Sequence, residues 1–260
     1  MYNFLRKKKL IILLSVFLVT FSTIIIRSPD IITVFNPKKL VPIYCVERDD
    51  KKISISFDAS WGNSDTENLL KILKKNKVKA TFFVCGYWID KYSNLVKKIV
   101  KEGHDIGNHG NTHAHGSELS IYENKQEILK AHEKIKKVTG DDCFLFRPPY
   151  GEYNDDVIKA ARELNYYPIQ WSIDSLDWKN LGVDNMIDKV LNSKKLDSGA
   201  IILFHNDTKY TPQALDVIIK SLKEKQYELV KISELIYNNY NIDMHGMQLK
   251  ENKDISNKIK

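Results

Sequence analysis

Strand-like and helix-like stretches alternate about seven times between residues 50 and 240 of this 260-residue chain. Few architectures accept such a pattern. Lys52–Phe57, Lys79–Cys85, His104–Asn108, Phe144–Arg147, Tyr167–Ile173, Ala200–Phe204 and Tyr227–Ile232 read as short apolar strands. Helical spacing of apolar residues marks Asn63–Asn76, Leu95–Val100 closed by Gly103, Ile121–Val138 ending at Gly140, a helix capped by Asn154 and running through Leu164, Asp184–Asn192 and Pro212–Glu224. Ser233 reads as the cap of a short last helix. Strands joined by helical crossovers run parallel and need helices to cover them. The expectation is an α/β fold, a closed or nearly closed α/β barrel over residues 51–238 preceded by an N-terminal membrane-anchor helix. An open doubly wound sheet is the alternative, but no Gly-rich turn follows the first strand.

The anchor is read from Arg6-Lys7-Lys8-Lys9 followed by the apolar run 10–26. Seventeen residues at helical rise span roughly 25 Å, the short end of what crosses a bilayer. Basic residues ahead of the run predict a cytoplasmic N-terminus and an exported body on the extracytoplasmic side of the cell membrane. A cleaved signal peptide is the rival, without an A-x-A-like site to support it. Residues 1–26 are thus cytoplasmic stub and anchor, 27–50 a linker with Pro29, Pro37 and Pro42, and 239–260 a polar tail.

The formal charge of +7 is uneven: residues 1–40 hold seven Lys/Arg and one Asp, leaving +1 for the remaining 220. A near-neutral body argues against a nucleic-acid partner. Cys45, Cys85 and Cys143 are too few and too scattered for a disulfide framework or a thiolate metal site. They read as buried free thiols, with one disulfide plus an odd thiol as the alternative.

Five short blocks carry the chemistry: Ser56–Gly62 (SFDASWG), His109–His113 (HGNTH), Arg147–Gly151 (RPPYG), Asp174–Trp178 (DSLDW) and Leu203–Asn206 (LFHN). Four directly follow expected strands, where the chemistry of an α/β barrel sits. His109 and His113 are four apart, so one helical turn would put both imidazoles on one side as donors to zinc or a similar divalent ion. Asp58 is a candidate base for a metal-activated water. Arg147 lies before two prolines in a stiff segment suited to holding a carboxylate, and the Tyr150 N–H is the first amide after them that can meet an oxyanion. Asp174 or Asp177 paired with His205 would make that histidine a general acid. Trp61, Trp178 and Tyr150 are candidate sugar-stacking walls. His115 points elsewhere by its spacing, and His104 reads as structural.

Residues 50–237, through these ordered blocks and Lys79–Val84 (KATFFV), resemble the polysaccharide deacetylases, carbohydrate esterase family four, with a nodulation-type deacetylase domain. Phe57–Gly62 behind an anchor looks most like the membrane-anchored sporulation branch. The resemblance implies a deformed (β/α)7-type barrel and a hydrolase acting on carbon–nitrogen bonds other than peptide bonds, which removes N-acetyl groups from an amino-sugar cell-wall polymer such as peptidoglycan and releases acetate. It implies Asp58 as base, Arg147 as its partner, His109 and His113 as ligands of zinc (or cobalt, manganese or nickel), Tyr150 as oxyanion donor, Asp177 tuning His205 as acid, and Leu203 against the acetyl methyl.

One position departs. A second metal-binding aspartate is the family's habit directly after the base, and here it is Ala59. Three readings follow: a weakened but working metal site, a substitute carboxylate such as Asp65, or an inactive membrane-tethered glycan binder. His113-Ala114-His115 also admits a barrel amidohydrolase, although such pairs normally close a first strand.

Overall fold

The computed structural model describes residues 39–251. The anchor run 10–26, residues 27–38 of the linker and the last residues of the tail lie outside them. Among the described residues no helix is long and apolar enough to cross a membrane.

The chain builds β1 (Cys45–Val46), β2 (Lys52–Ala59), α1 (Thr66–Lys75), β3 (Thr81–Val84), α2 (Gly86–Lys101), β4 (Asp105–Asn108), α3 (Ile121–Thr139), β5 (Leu145–Phe146), α4 (Asp155–Glu163), β6 (Tyr167–Pro168) and β7 (Ile173–Asp174). It continues through α5 (Val183–Leu191), β8 (Ile201–His205), α6 (Thr211–Glu224), β9 (Glu228–Leu229), α7 (Ile232–Leu235), β10 (Tyr240–Ile242) and β11 (Met247–Lys250). The main sheet runs β6-β5-β4-β3-β2-β8-β7, with β9 added beside the start of β2. Every pairing in it is parallel. The result is an α/β half-barrel, open where a closed barrel would pair β6 with β7.

That opening has a local cause. The single strand expected over Tyr167–Ile173 is two short ones at opposite edges of the sheet, because Pro168 has no N–H to extend a ladder. The chain crosses the gap between them, and Ile43 fills the opening. Its N–H donates to the Pro168 carbonyl at 2.8 Å and its carbonyl accepts from the Gln170 N–H at 2.7 Å. Part of the expected linker is therefore packed against the barrel. The expected tail also folds in part: β10 and β11 are antiparallel, and β11 lies parallel to β1.

The strand β2 shows how the sequence divides its two faces. Ile53, Ile55, Phe57 and Ala59 join the large core cluster with α1, α2 and α6. The alternate residues Ser54, Ser56 and Asp58 face the barrel interior, where Ser56 Oγ donates to the Ile202 carbonyl at 3.0 Å and Ser54 Oγ to that of Val230. Among the helices, α3 begins with a Ser120/Glu123 capping box and ends on Gly140 at φ +85°, while the Asn154 side chain accepts the Val157 N–H at the start of α4. The last short helix starts one residue before Ser233, which lies inside it.

Gly199 joins β1 to the sheet: its carbonyl accepts the Val46 N–H at 3.0 Å. Its φ is +79°, and an added Cβ would meet the Val46 oxygen at 1.7 Å. Gly199→Ala should therefore destabilise the domain by about 2 kcal/mol or more, read as a lowered urea midpoint with an unchanged slope.

Candidate active site

The register of the parallel sheet assembles the site. Asp58 pairs with His205 across β2 and β8, and with Phe83 across β2 and β3. One strand further, the His109 N–H donates to the Val84 carbonyl at 3.1 Å, and the Arg147 N–H to that of Asn108 at 2.9 Å. Four residues distant in sequence thus reach one sheet end because neighbouring parallel strands are only about 4.8 Å apart.

Asp58 and Arg147 form a buried ion pair, Nη1 to Oδ1 2.7 Å, with side chains 6% and 0% exposed. The other arm of the guanidinium donates to the Gln170 carbonyl at 3.1 Å, and its plane lies 4.0 Å from the Phe83 ring centre. Burial pushes the Asp58 carboxyl up, but Arg147, then His109 and His205, outweigh it and hold it below its ordinary value. Asp58 is a carboxylate kept ionised in a dry place.

His109 is 2% exposed and its Nδ1 lies 2.7 Å from the Arg147 carbonyl. A carbonyl only accepts, so Nδ1 carries the proton and Nε2 presents a bare lone pair. That lone pair faces Asp58 Oδ2 at 3.6 Å, acceptor to acceptor. His113 stands beside it, ring centres 5.0 Å apart, and its buried Nδ1 has no hydrogen-bond partner. Burial foremost, then His109, lowers its pKa to about 4. Two neutral imidazoles with unused lone pairs beside a carboxylate suit a divalent cation.

The helical turn expected to align these histidines is absent. Residues 109–115 form a loop, and His113 sits at φ +58°, a left-handed conformation costly for a non-glycine residue. Tyr150 has φ +60°, and its ring packs 4.3 Å from that of His113 and stacks at 4.1 Å on His115. Such paired outliers are typical of backbone held in place for a site. Gly151 next to it cannot be exchanged, since an added Cβ at its φ of +71° would meet the Trp171 ring at 2.7 Å.

On the far side, His205 Nδ1 lies 2.7 Å from Asp177 Oδ1, and its backbone N–H donates to Oδ2 at 2.7 Å. Thr211 Oγ donates to the same Oδ2 at 2.9 Å. Burial lowers the imidazole's proton affinity, yet the Asp177 bond and charge prevail and the His205 pKa is raised. Between the two candidate aspartates the geometry selects Asp177. Asp174 uses Oδ1 to accept the Leu176 N–H at 2.8 Å, and burial raises its pKa.

A cavity of about 450 Å³ is lined by Asp58, His109, His113, Leu203, His205 and Asp174 together with the half-exposed rings of Trp61, Tyr150 and Trp178. Arg147 and Asp177 stand behind its wall. The two Asp65 oxygens accept the Asp207 and Thr208 N–H groups at 2.7 and 3.3 Å. His104 accepts the Ala80 N–H within the core, and His115 pairs with Glu152 on the surface. Sequence reasoning missed Thr211, Gln170 and Trp171, whose roles are set by tertiary contact. It also missed Cys85, whose sulfur lies within 4.8 Å of ligand nitrogens of His109 and His113. All three cysteines are free thiols.

Residues 46–169 match the family model described as polysaccharide deacetylase. The chain is 37% identical over 196 residues to a peptidoglycan-N-acetylglucosamine deacetylase of Bacillus cereus, covering 74% of this chain and 91% of that protein. It is 35% identical to the uncharacterised Bacillus subtilis protein YlxY, over 75% of this chain but only 60% of that one. Among solved structures, a pseudoenzyme of carbohydrate esterase family four from Bacillus anthracis superposes with a TM-score of 0.72 at 32% identity, over 82% of this chain and 73% of that one. A mutant of that protein is described as having restored enzymatic activity. The chain belongs to the polysaccharide deacetylase family.

Two outcomes follow from the ion pairs. Arg147→Met strands a buried carboxylate and should cost about 3–5 kcal/mol in chemical denaturation, with most of it recovered when Asp58→Asn is added. Asp177→Asn removes the charge that raises the His205 pKa, so His205 should lose its proton at lower pH. A proton-resonance titration of that ring should then move its midpoint in the acid direction.

Proposed function

We propose that this chain is a metal-assisted deacetylase of N-acetylated amino sugars in peptidoglycan or a related cell-wall polymer, releasing acetate and a free amine. One observation carries the reading: a carboxylate ion-paired with Arg147 and an imidazole hydrogen-bonded to Asp177 flank two further imidazoles in a single cavity. Family membership supports it, since members are generally dependent on a divalent metal.

His109 and His113 would hold the ion, which when bound polarises the acetyl carbonyl and acidifies a water. Asp58 takes the proton of the attacking water, its own charge secured by Arg147. The Tyr150 N–H, for which no protein acceptor is found among the described residues, donates to the oxyanion of the tetrahedral intermediate. His205 gives its proton to the departing nitrogen, and Asp177 both orients the ring and favours the charged form. Trp61 and Trp178 border the sugar, and Leu203 faces the methyl. The sign of the pH response follows: activity rises with pH as Asp58 ionises and falls as His205 loses its proton, above the ordinary imidazole value.

We further propose that residues 10–26 anchor the protein in the cell membrane with the barrel outside, as in the sporulation-associated branch. The order of basic residues and apolar run supports this arrangement.

A second reading, a tethered glycan binder without turnover, is favoured by Ala59 and by the likeness to the Bacillus anthracis pseudoenzyme. Acetate release from N-acetylglucosamine oligomers and peptidoglycan, assayed with added zinc or cobalt, separates the two. We expect release that falls about 10²- to 10⁴-fold in Asp58→Asn and in His205→Ala. Calorimetric glycan binding with no acetate under any metal would establish the binder instead.

A further inference from the structure

We propose, resting on the reading of His109 and His113 as metal ligands, that Cys85 is the third protein ligand, so that this chain holds a thiophilic divalent ion through one thiolate and two imidazoles. The sulfur and one nitrogen of each histidine all lie within 4.8 Å of one another. Donors around a tetrahedral zinc stand roughly 3.5 Å apart, from metal–nitrogen distances near 2.0 Å and metal–sulfur near 2.3 Å.

Two imidazoles alone are one ligand short of the three protein donors that catalytic zinc sites use with a water in the fourth position. Ala59, next to Asp58 on β2, has no donor atom. Asp58 is committed to Arg147, and Asp65 to the 207–208 turn. Cys85 stands beside the vacant position: its N–H donates to the Ala59 carbonyl at 3.2 Å, and its sulfur lies 3.3 Å from Ser60 Oγ. Sγ also donates to the His109 carbonyl at 3.2 Å, which ties the thiol to one of the two histidines.

Cys85 is the N-cap of the sixteen-residue helix α2. Burial pushes the Cys85 thiol up, so the sulfur stays protonated until a bound cation displaces its proton. The buried His113 Nδ1, which has no hydrogen-bond partner, is an independent observation that points to a ligand at this cluster. On binding, the thiol proton passes to solvent and sulfur brings one negative charge, the charge a carboxylate at position 59 would have brought. A donor set of sulfur and two nitrogens selects zinc or cobalt over magnesium or manganese, which prefer oxygen.

Titration of the full chain with cobalt and zinc tests this assignment. Bound cobalt should show near-ultraviolet sulfur-to-metal charge transfer in the unaltered protein, lost in Cys85→Ser and kept in Cys143→Ser. Zinc affinity should fall at least about tenfold in Cys85→Ser. Cobalt bound without that absorption, or zinc affinity unchanged in Cys85→Ser, would overturn the thiolate ligand. The cobalt spectrum of the unaltered protein is informative even if the variant fails to fold. A sulfur-ligated metal without acetate release would sink the deacetylase reading alone; acetate release with no sulfur ligation would sink this one alone.

Discussion

The Asp58–Arg147 ion pair is the interaction on which the site depends. Both side chains are almost wholly buried, so neither charge can be left without the other. The guanidinium also donates to Gln170, which spans the open side of the half-barrel, and its strand-end carbonyl engages His109. Base, first imidazole and the segment closing the gap are therefore positioned by one residue. A long cation reaching across the interior does what a closed ring of strand hydrogen bonds would otherwise do at that end.

Around this pair the protein sets opposite electrostatic conditions a few ångströms apart. Burial alone would neutralise every group there, raising Asp58 and lowering each histidine. Arg147 reverses that tendency at Asp58, and Asp177 reverses it at His205. His113, with no such partner, remains neutral. The same low-dielectric cavity thus contains a base, an acid and a pair of ligands distinguished only by their neighbours. The sulfur of Cys85 adds a donor on the side where Ala59 has none.

Much of this was legible in the chain because parallel α/β architecture puts strand ends together regardless of separation in sequence. Four of the five blocks followed apolar runs, and a barrel made their convergence the simplest expectation. Asn154 and Gly140 worked as caps because capping is a local matter of a few bonds. Inference failed where local pattern and distant contact disagreed. The i, i+4 spacing of His109 and His113 mimicked a helical face, while the backbone between them is a loop held by Glu127, whose Oε2 accepts the Asn111 and Thr112 N–H groups. The run from Tyr167 to Ile173 looked continuous because Pro168 limits a ladder only when one asks which neighbours surround it. The polar stretch after residue 239 read as a tail, yet Met247 and Gln248 in it pair with Cys45 and Val46 of β1.

The amino-acid order by itself determined the succession of strands and helices, the two faces of β2, and which residue types stand at each strand end. Side-chain period and capping chemistry are properties of a few consecutive residues. Only the tertiary structure decided that Asp177 rather than Asp174 holds His205, that Asp65 is occupied elsewhere, and that a cysteine lies beside two histidines. Those choices are made by register and burial between segments 24 to more than 140 residues apart, and no local pattern encodes distance across a sheet.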